Sequence, residues 1–262
     1  MKKQLTKQMG KCVRVDPWLD LKQFTTARIA LGRAGSSIRT NDWLAFKLDH
    51  AKARDAVHSE LDEGALEFNL ASLDSQIIHV QSQINSKADY LKRPDLGRFL
   101  NTDSITRLNA IQDGTDLVII ISEGLSATAV QRHAPQVVSA LLPMLKNNSW
   151  SLAPIIVAKY GRVAIEDDIG VRLNTKMAII LIGERPGLGL SDSLGAYLVY
   201  NPNASNTDAN RNCVSNIREN GLSYEKAADT VFFLLSEALS RGLSGVKLKD
   251  NRDSIDTAQL EK

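Results

Sequence analysis

Apolar positions along this chain fall into two regimes. From Thr40 the run TNDWLAFKLDHAKARDAVHSEL places Leu44, Leu48, Ala51 and Val57 at roughly helical spacing behind a threonine cap and an acidic first turn. That pattern predicts a long amphipathic helix. Before it, Thr25 to Arg39 mixes Gly32 and Gly35 with Arg28, Arg33 and Arg39, which suits a loop facing an anionic partner and equally a solvated turn. Phe68 to Gly97 predicts one strand near Ile77 to Val80, followed by ADYLKRPDLGR, where Pro94 and Gly97 break any helix.

From about Asp116 the spacing changes to short β-branched runs alternating with helical stretches. DLVIII (Asp116 to Ile121), APIIVAKY (Ala153 to Tyr160) and KMAIILIG (Lys176 to Gly183) read as buried strands. Ser126 suits a helix cap, and Pro135 ends that helix or starts the next, whose apolar face is Val138, Leu141, Leu142 and Leu145. Glu166 to Asp168 enter a short helix with the acidic first turn its dipole favours. The last helix carries Ala227, Ala228, Val231, Leu234, Leu235 and Ala238 and closes on Gly242.

Strands separated by helices predict an α/β fold, a Rossmann-like parallel sheet with helices on both faces, preceded by a mainly helical N-terminal region. The expected organisation is a tail over 1–24, a helical region over 25–110 and the Rossmann-like domain over 111–262. Ligands of open α/β sheets bind at the carboxyl ends of the strands. Those ends read Ser122-Glu123-Gly124, Lys159-Tyr160-Gly161-Arg162 and Gly183-Glu184-Arg185-Pro186-Gly187, so a ligand site is expected there without the ligand being named.

Composition narrows the classes. A net charge of +2 with interleaved signs gives no electrostatic footprint for nucleic acid, and the basic first residues read as a frayed tail. No apolar run suits a membrane span, and the polar start has no signal-peptide core; a cytosolic protein is expected. Cys12 and Cys213 form no cluster and read as free thiols. His50 and His58 lie about 12 Å apart along one helix, too far to share an ion, and His79 and His133 add no metal-binding spacing. No GxSxG elbow exists. Gly187-Leu188-Gly189 lacks the third glycine of a dinucleotide fingerprint. No catalytic residue and no metal ligand is therefore assigned.

The blocks TARIALGRAG, ADYLKRPDLGR, ISEGLSATAV, KYGRVAIEDDIG, LIGERPGLGLSDSLGAY and DANRNCVSNI, in this order from about residue 25 onward, closely resemble the small (light) subunit family of ethanolamine ammonia-lyase. The resemblance implies a subunit of an adenosylcobalamin-dependent enzyme that converts ethanolamine to acetaldehyde and ammonia. It implies a large TIM-barrel subunit that binds substrate, with this chain pressing a Rossmann-like face against the corrinoid at the subunit interface. The family's cofactor contacts fall on the valine of GRV, the glutamate of GER and the cysteine of the RxC block, here Val163, Glu184 and Cys213. Glu184 would accept hydrogen bonds from corrin amides, or pair locally with Arg185. Val163 would offer a small apolar contact, or serve as a strand-edge core residue. Cys213 would pack against a ligand edge, or simply be buried. The family keeps the cofactor's own base on cobalt, and Asp49-His50-Ala51-Lys52-Ala53 lacks the glycine of the DxHxxG motif that displaces it. Some members carry a long N-terminal extension directing them to a bacterial microcompartment. Little chain precedes the first block here, so a cytoplasmic complex is expected, with the microcompartment as the alternative. The rival readings are a nucleotide-binding α/β oxidoreductase and a non-catalytic scaffold subunit.

Overall fold

A computed structural model describes residues 13, 14, 16–25, 27–73, 75–111 and 114–252. The basic first residues and Cys12 lie outside the described residues. Contacts divide the chain into two compact units, 1–55 with 187–191, and 56–186 with 192–262.

In the first unit β1 (Val13–Arg14) pairs antiparallel with β2 (Arg33–Ala34). The helix predicted from the Thr40 run forms as α1 (Thr40–His58). Its Asp49 pairs with Arg28 and its Asp42 holds Arg39 Nε at 2.7 Å. Two of the three guanidiniums that suited an anionic partner are therefore engaged internally. Leu44 and Leu48 of α1 are exposed, whereas Ala51 and Val57 are half-buried and Ala56 is buried.

The second unit opens with α2 (Glu63–Leu70), β3 (Ile77–Gln81), α3 (Lys87–Lys92) and α4 (Thr102–Leu108). There follow β4 (Leu117–Ser122), α5 (Ala127–Asn147), β5 (Ile155–Lys159), α6 (Ile165–Arg172) and β6 (Met177–Gly183), then β7 (Leu194–Tyr200), β8 (Arg211–Ile217) and α7 (Tyr224–Arg241). One six-stranded sheet runs β3-β5-β4-β6-β7-β8. β3, β5, β4 and β6 are parallel, whereas β7 and β8 are antiparallel additions. The expected all-parallel pattern stops at β6 because the link from Gly183 to Leu194 is too short for a crossover helix, and a short link returns the chain antiparallel.

Alternation along the strands sorts the core into two layers. Ile119, Ile121, Ile179 and Leu181 face Val137, Leu141, Val231 and Leu235 of α5 and α7. Val118, Ile120, Ile180 and Ile182 face Leu108, Ile165 and Ile169 of α4 and α6. Helices thus cover both faces, as the sequence predicts. One local expectation fails: α5 passes through both Pro135 and Pro143 without ending. Each proline removes a helix hydrogen bond, but a continuous buried stripe from Val130 to Leu145 outweighs the loss. Ser126 caps this helix by accepting from Ala129 N at 3.3 Å. Leu141→Ala should cost about 2–5 kcal/mol, because its side chain is fully enclosed; the urea midpoint reads this directly.

Candidate functional site

Neighbouring strands β4 and β5 send their helices to opposite faces, so the ligand crevice of an open α/β sheet is expected between their carboxyl ends. Here that crevice is closed by the chain itself. The Glu123 carboxylate, buried, accepts Tyr160 N through both oxygens at 2.9 and 3.0 Å. Ser122 Oγ accepts Gly161 N at 3.1 Å. On the β6 side the backbone is equally tight: a Cβ on Gly183 would lie 2.2 Å from the Ser126 carbonyl oxygen. Gly124, at φ +58, would place a Cβ 2.3 Å from the Gly183 carbonyl. Burial raises the Glu123 carboxyl, while burial lowers Lys87 beside it. The remaining cavity, lined by Glu60, Lys87, Glu123, Lys159 and Tyr160, is about 20 Å³. That volume suits a single water.

The third strand end turns elsewhere. Glu184 lies across Gly195 of β7, where a Cβ would stand 3.1 Å from its Oε1. Ser215 Oγ donates to Oε1 at 2.5 Å, Ser193 Oγ donates to Oε2, and Asn216 N donates to Oε2 at 3.4 Å. The Glu184 main-chain N–H also donates to the Ser193 carbonyl at 2.9 Å. A carboxylate has about four lone-pair positions, so Oε1 keeps capacity for a further donor.

Cys213 shares this face. It stands opposite Tyr197 in the β7–β8 register and two positions before Ser215 on the same side of β8. Partial burial pushes the thiol up, opposed by its hydrogen bond with Tyr197 and reinforced by Glu184. Burial likewise raises Tyr197. Both shifts favour the neutral forms. Cys213 and Ser215 are exposed.

Val163, between β5 and α6, is half-buried and packs with Tyr197 against the same apolar layer. A buried ion cluster ties its helix to β8. Arg211 Nη2 lies 2.5 Å from Asp167 Oδ2, and its Nε lies 3.5 Å from Glu166 Oε1. Asp167 is further satisfied by Asn203 N at 3.1 Å and Asn206 Nδ2 at 2.7 Å. Glu166 has no such support: it is fully buried, and neither side-chain oxygen has a hydrogen-bond partner. Burial raises its carboxyl well above the ordinary range, with Arg211 pulling down and Asp167 adding to the rise. A carboxyl raised in the fold gives its full stability below the unfolded value of about 4.3 and loses it as pH rises. Glu166→Gln should therefore gain stability over the parent above that value, increasingly toward pH 8. Denaturant midpoints at several pH values would reveal a parallel profile if Glu166 were ionised in the fold.

Glu184 and Cys213 are thus brought together through Ser215 and Tyr197, and Val163 joins them at one remove through α6 and Arg211. Sequence reading missed Ser193, Tyr197, Arg211 and Ser215, whose only signal was membership of the quoted blocks. Two of the four histidines have other engagements: His79 lies between Glu63 and Glu67, and His133 contacts Tyr224. Among the described residues no cluster of His, Cys, Asp and Glu suits a metal ion, and no helix is long and apolar enough to cross a membrane.

Fold and site together define a mixed α/β chain whose strand-end crevice is closed by its own backbone and side chains, with Glu184 held against its antiparallel strands. Residues 15–249 match the family described as "Ethanolamine ammonia-lyase light chain (EutC)". The chain is 48% identical over 242 residues to an "Ethanolamine ammonia-lyase small subunit" of Azotobacter vinelandii, covering 91% of this chain and 90% of the relative. It is 47% identical over 239 residues to the like-named protein of Pseudomonas fluorescens strain SBW25, covering 90% and 86%. The protein of Pseudomonas syringae pv. tomato is 46% identical over 239 residues, covering 90% and 83%. The chain belongs to the ethanolamine ammonia-lyase small-subunit family.

Proposed function

We propose that this chain is the small subunit of an adenosylcobalamin-dependent ethanolamine ammonia-lyase and offers its Glu184, Cys213 and Val163 face to the corrinoid at the interface with a large, catalytic TIM-barrel subunit. The observation that carries the proposal is the Glu184 carboxylate, fixed by Ser193, Ser215 and Asn216 with acceptor capacity left on Oε1. A corrin rim bears amide side chains, whose N–H groups such an acceptor suits. Gly195 keeps the floor beneath Glu184 low, and the neutral Cys213 and Tyr197 offer compact, weakly polar surface to a ligand edge. These residues fit the cofactor's periphery.

When bound, the cofactor would supply the radical chemistry. What this chain would do is bind and orient: Glu184 would hold an amide, Val163 and Cys213 would fill apolar edges, and the closed crevice would back them. On this reading no histidine of this chain would be offered to the cobalt. The site of action is a cytoplasmic complex, with a microcompartment as the alternative address.

The purified chain, given ethanolamine and adenosylcobalamin, is expected to show no deamination until the large subunit is added. Turnover by the isolated chain would overturn the division of labour. Cys213→Ser should weaken cofactor binding by about 1 kcal/mol, the scale of one altered contact, with turnover at saturation retained. Inactivation of the assembled complex at saturating cofactor would make the thiol a chemical participant.

A further inference from the structure

We propose that His133 is a positioning residue that sets the Glu184 carboxylate through Asp192 and Ser193, a role that rests on the cofactor reading of Glu184 above. His133 is on α5, only 2% exposed, amid the apolar stripe of Val130, Ala134 and Val137. An imidazole there is costly unless its nitrogens are used. Nδ1 lies 3.0 Å from the Tyr224 hydroxyl at the start of α7, the rings being 5.8 Å apart. Nε2 is buried without a hydrogen-bond partner, and the Asp192 carboxylate is its charged neighbour, with Oδ2 at 3.8 Å. A lone pair on Nε2 facing a carboxylate would be repulsive. The proton therefore sits on Nε2, and Nδ1 accepts the Tyr224 hydroxyl hydrogen. Arg132 Nη1, on the same helix, holds the same Asp192 oxygen at 3.1 Å.

Asp192 immediately precedes Ser193, and Ser193 grips Glu184 twice, by its carbonyl and by its hydroxyl. The Tyr224 end ties His133 to the start of α7, while Asn216, whose N–H donates to the same carboxylate, lies in β8. His133 thus stands beside Asp192, the residue that precedes Ser193, one of the groups that fix Glu184. It touches no candidate cofactor contact itself, so its effect is on the placement of an acceptor.

Titration gives a signature that packing alone would not. The charges facing His133 are Asp192 from the link before β7, Arg132 from α5 and Glu219 from the turn before α7, with the neutral Tyr224 beside it. Burial lowers His133 below its ordinary 6.5; Asp192 and Glu219 oppose this and Arg132 adds to it. The locked arrangement therefore binds fewer protons than an opened one. It is complete above the ordinary value and is lost as pH falls below it.

The test measures adenosylcobalamin affinity and saturated turnover of the assembled two-subunit complex from about pH 5.5 to about 8, where imidazole titrates. The chains compared are the parent, H133L, H133Q, D192N and E184A. H133L and D192N should weaken affinity about three- to tenfold at neutral pH, the size of one altered polar contact, with saturated turnover held. H133Q, whose amide restores a donor near Nε2, should recover parental affinity and remove the acidic loss. Weakened binding in E184A with parental binding in both H133L and D192N would remove the positioning role alone. So would an acidic loss in H133Q equal to that of the parent. Unchanged binding in E184A would remove the cofactor reading and the positioning role with it.

Discussion

Glu184→Ala is expected to raise the apparent dissociation constant for adenosylcobalamin by about ten- to hundredfold, with turnover at saturating cofactor changed far less. A hydrogen bond to a charged acceptor contributes about 1.5–3 kcal/mol, which converts to that range of affinity. The carboxylate stands in place before any ligand arrives, because Ser193, Ser215 and Asn216 hold it, so little ordering cost is deducted on binding. Removing it also leaves the Ser193 and Ser215 hydroxyls without their acceptor. Equilibrium titration of the assembled complex, paired with turnover at saturation, separates a binding defect from a chemical one. An equal fall in turnover at saturation would assign Glu184 a role in the reaction itself.

Gly183→Ala is expected to destabilise the chain by about 3 kcal/mol or more, the upper range for single substitutions. Its Cβ would come within 2.2 Å of the Ser126 carbonyl oxygen and 2.6 Å of the Glu123 carbonyl oxygen. These neighbours are backbone, fixed by the cap of α5 and by the end of β4, and cannot rotate away. The same close approach lets Leu125 N donate to the Gly183 carbonyl at 3.0 Å. Loss of soluble chain, or a large drop in urea midpoint, is the expected result. A midpoint equal to the parent's would mean that the β4 and β6 ends are not pressed together in this way.

How much of this was legible in the sequence depended on the range of the forces. β4, β5 and β6 were readable because a strand covered on both faces must be apolar throughout, and Leu117–Ser122 and Met177–Gly183 are fully buried. The acidic first turn of α6 and the Gly242 cap of α7, at φ +65, are local and were equally readable. β8 was not, because Arg211, Cys213 and Ser215 make one side of it polar, while only Val214 and Ile217 mark the core side. Pro135 misled for the opposite reason: its local penalty is real, but tertiary burial of α5 exceeds it.

The site shows the same division. That Glu184 would end a strand could be read from GER; that it would leave the crevice and lie across Gly195 could not. Its direction is decided by Ser193 and Ser215, placed by a hairpin and a further strand pairing. The filling of the crevice depends on Glu123 meeting the Tyr160 N–H, a contact between two strand ends that no local pattern encodes. Likewise, Arg211 and Asp167 pair across the gap between β8 and α6. Two of the resemblance-derived candidates, Glu184 and Cys213, meet on one surface through contacts that the resemblance did not supply.

The most direct measurement is a structure of this chain assembled with its large subunit and adenosylcobalamin. The account predicts a corrin amide nitrogen at hydrogen-bond distance, about 2.7–3.2 Å, from Glu184 Oε1, with the corrin edge against Cys213 and Val163. A corrinoid bound away from the β7–β8 face, with Glu184 still engaged only by Ser193, Ser215 and Asn216, would contradict it.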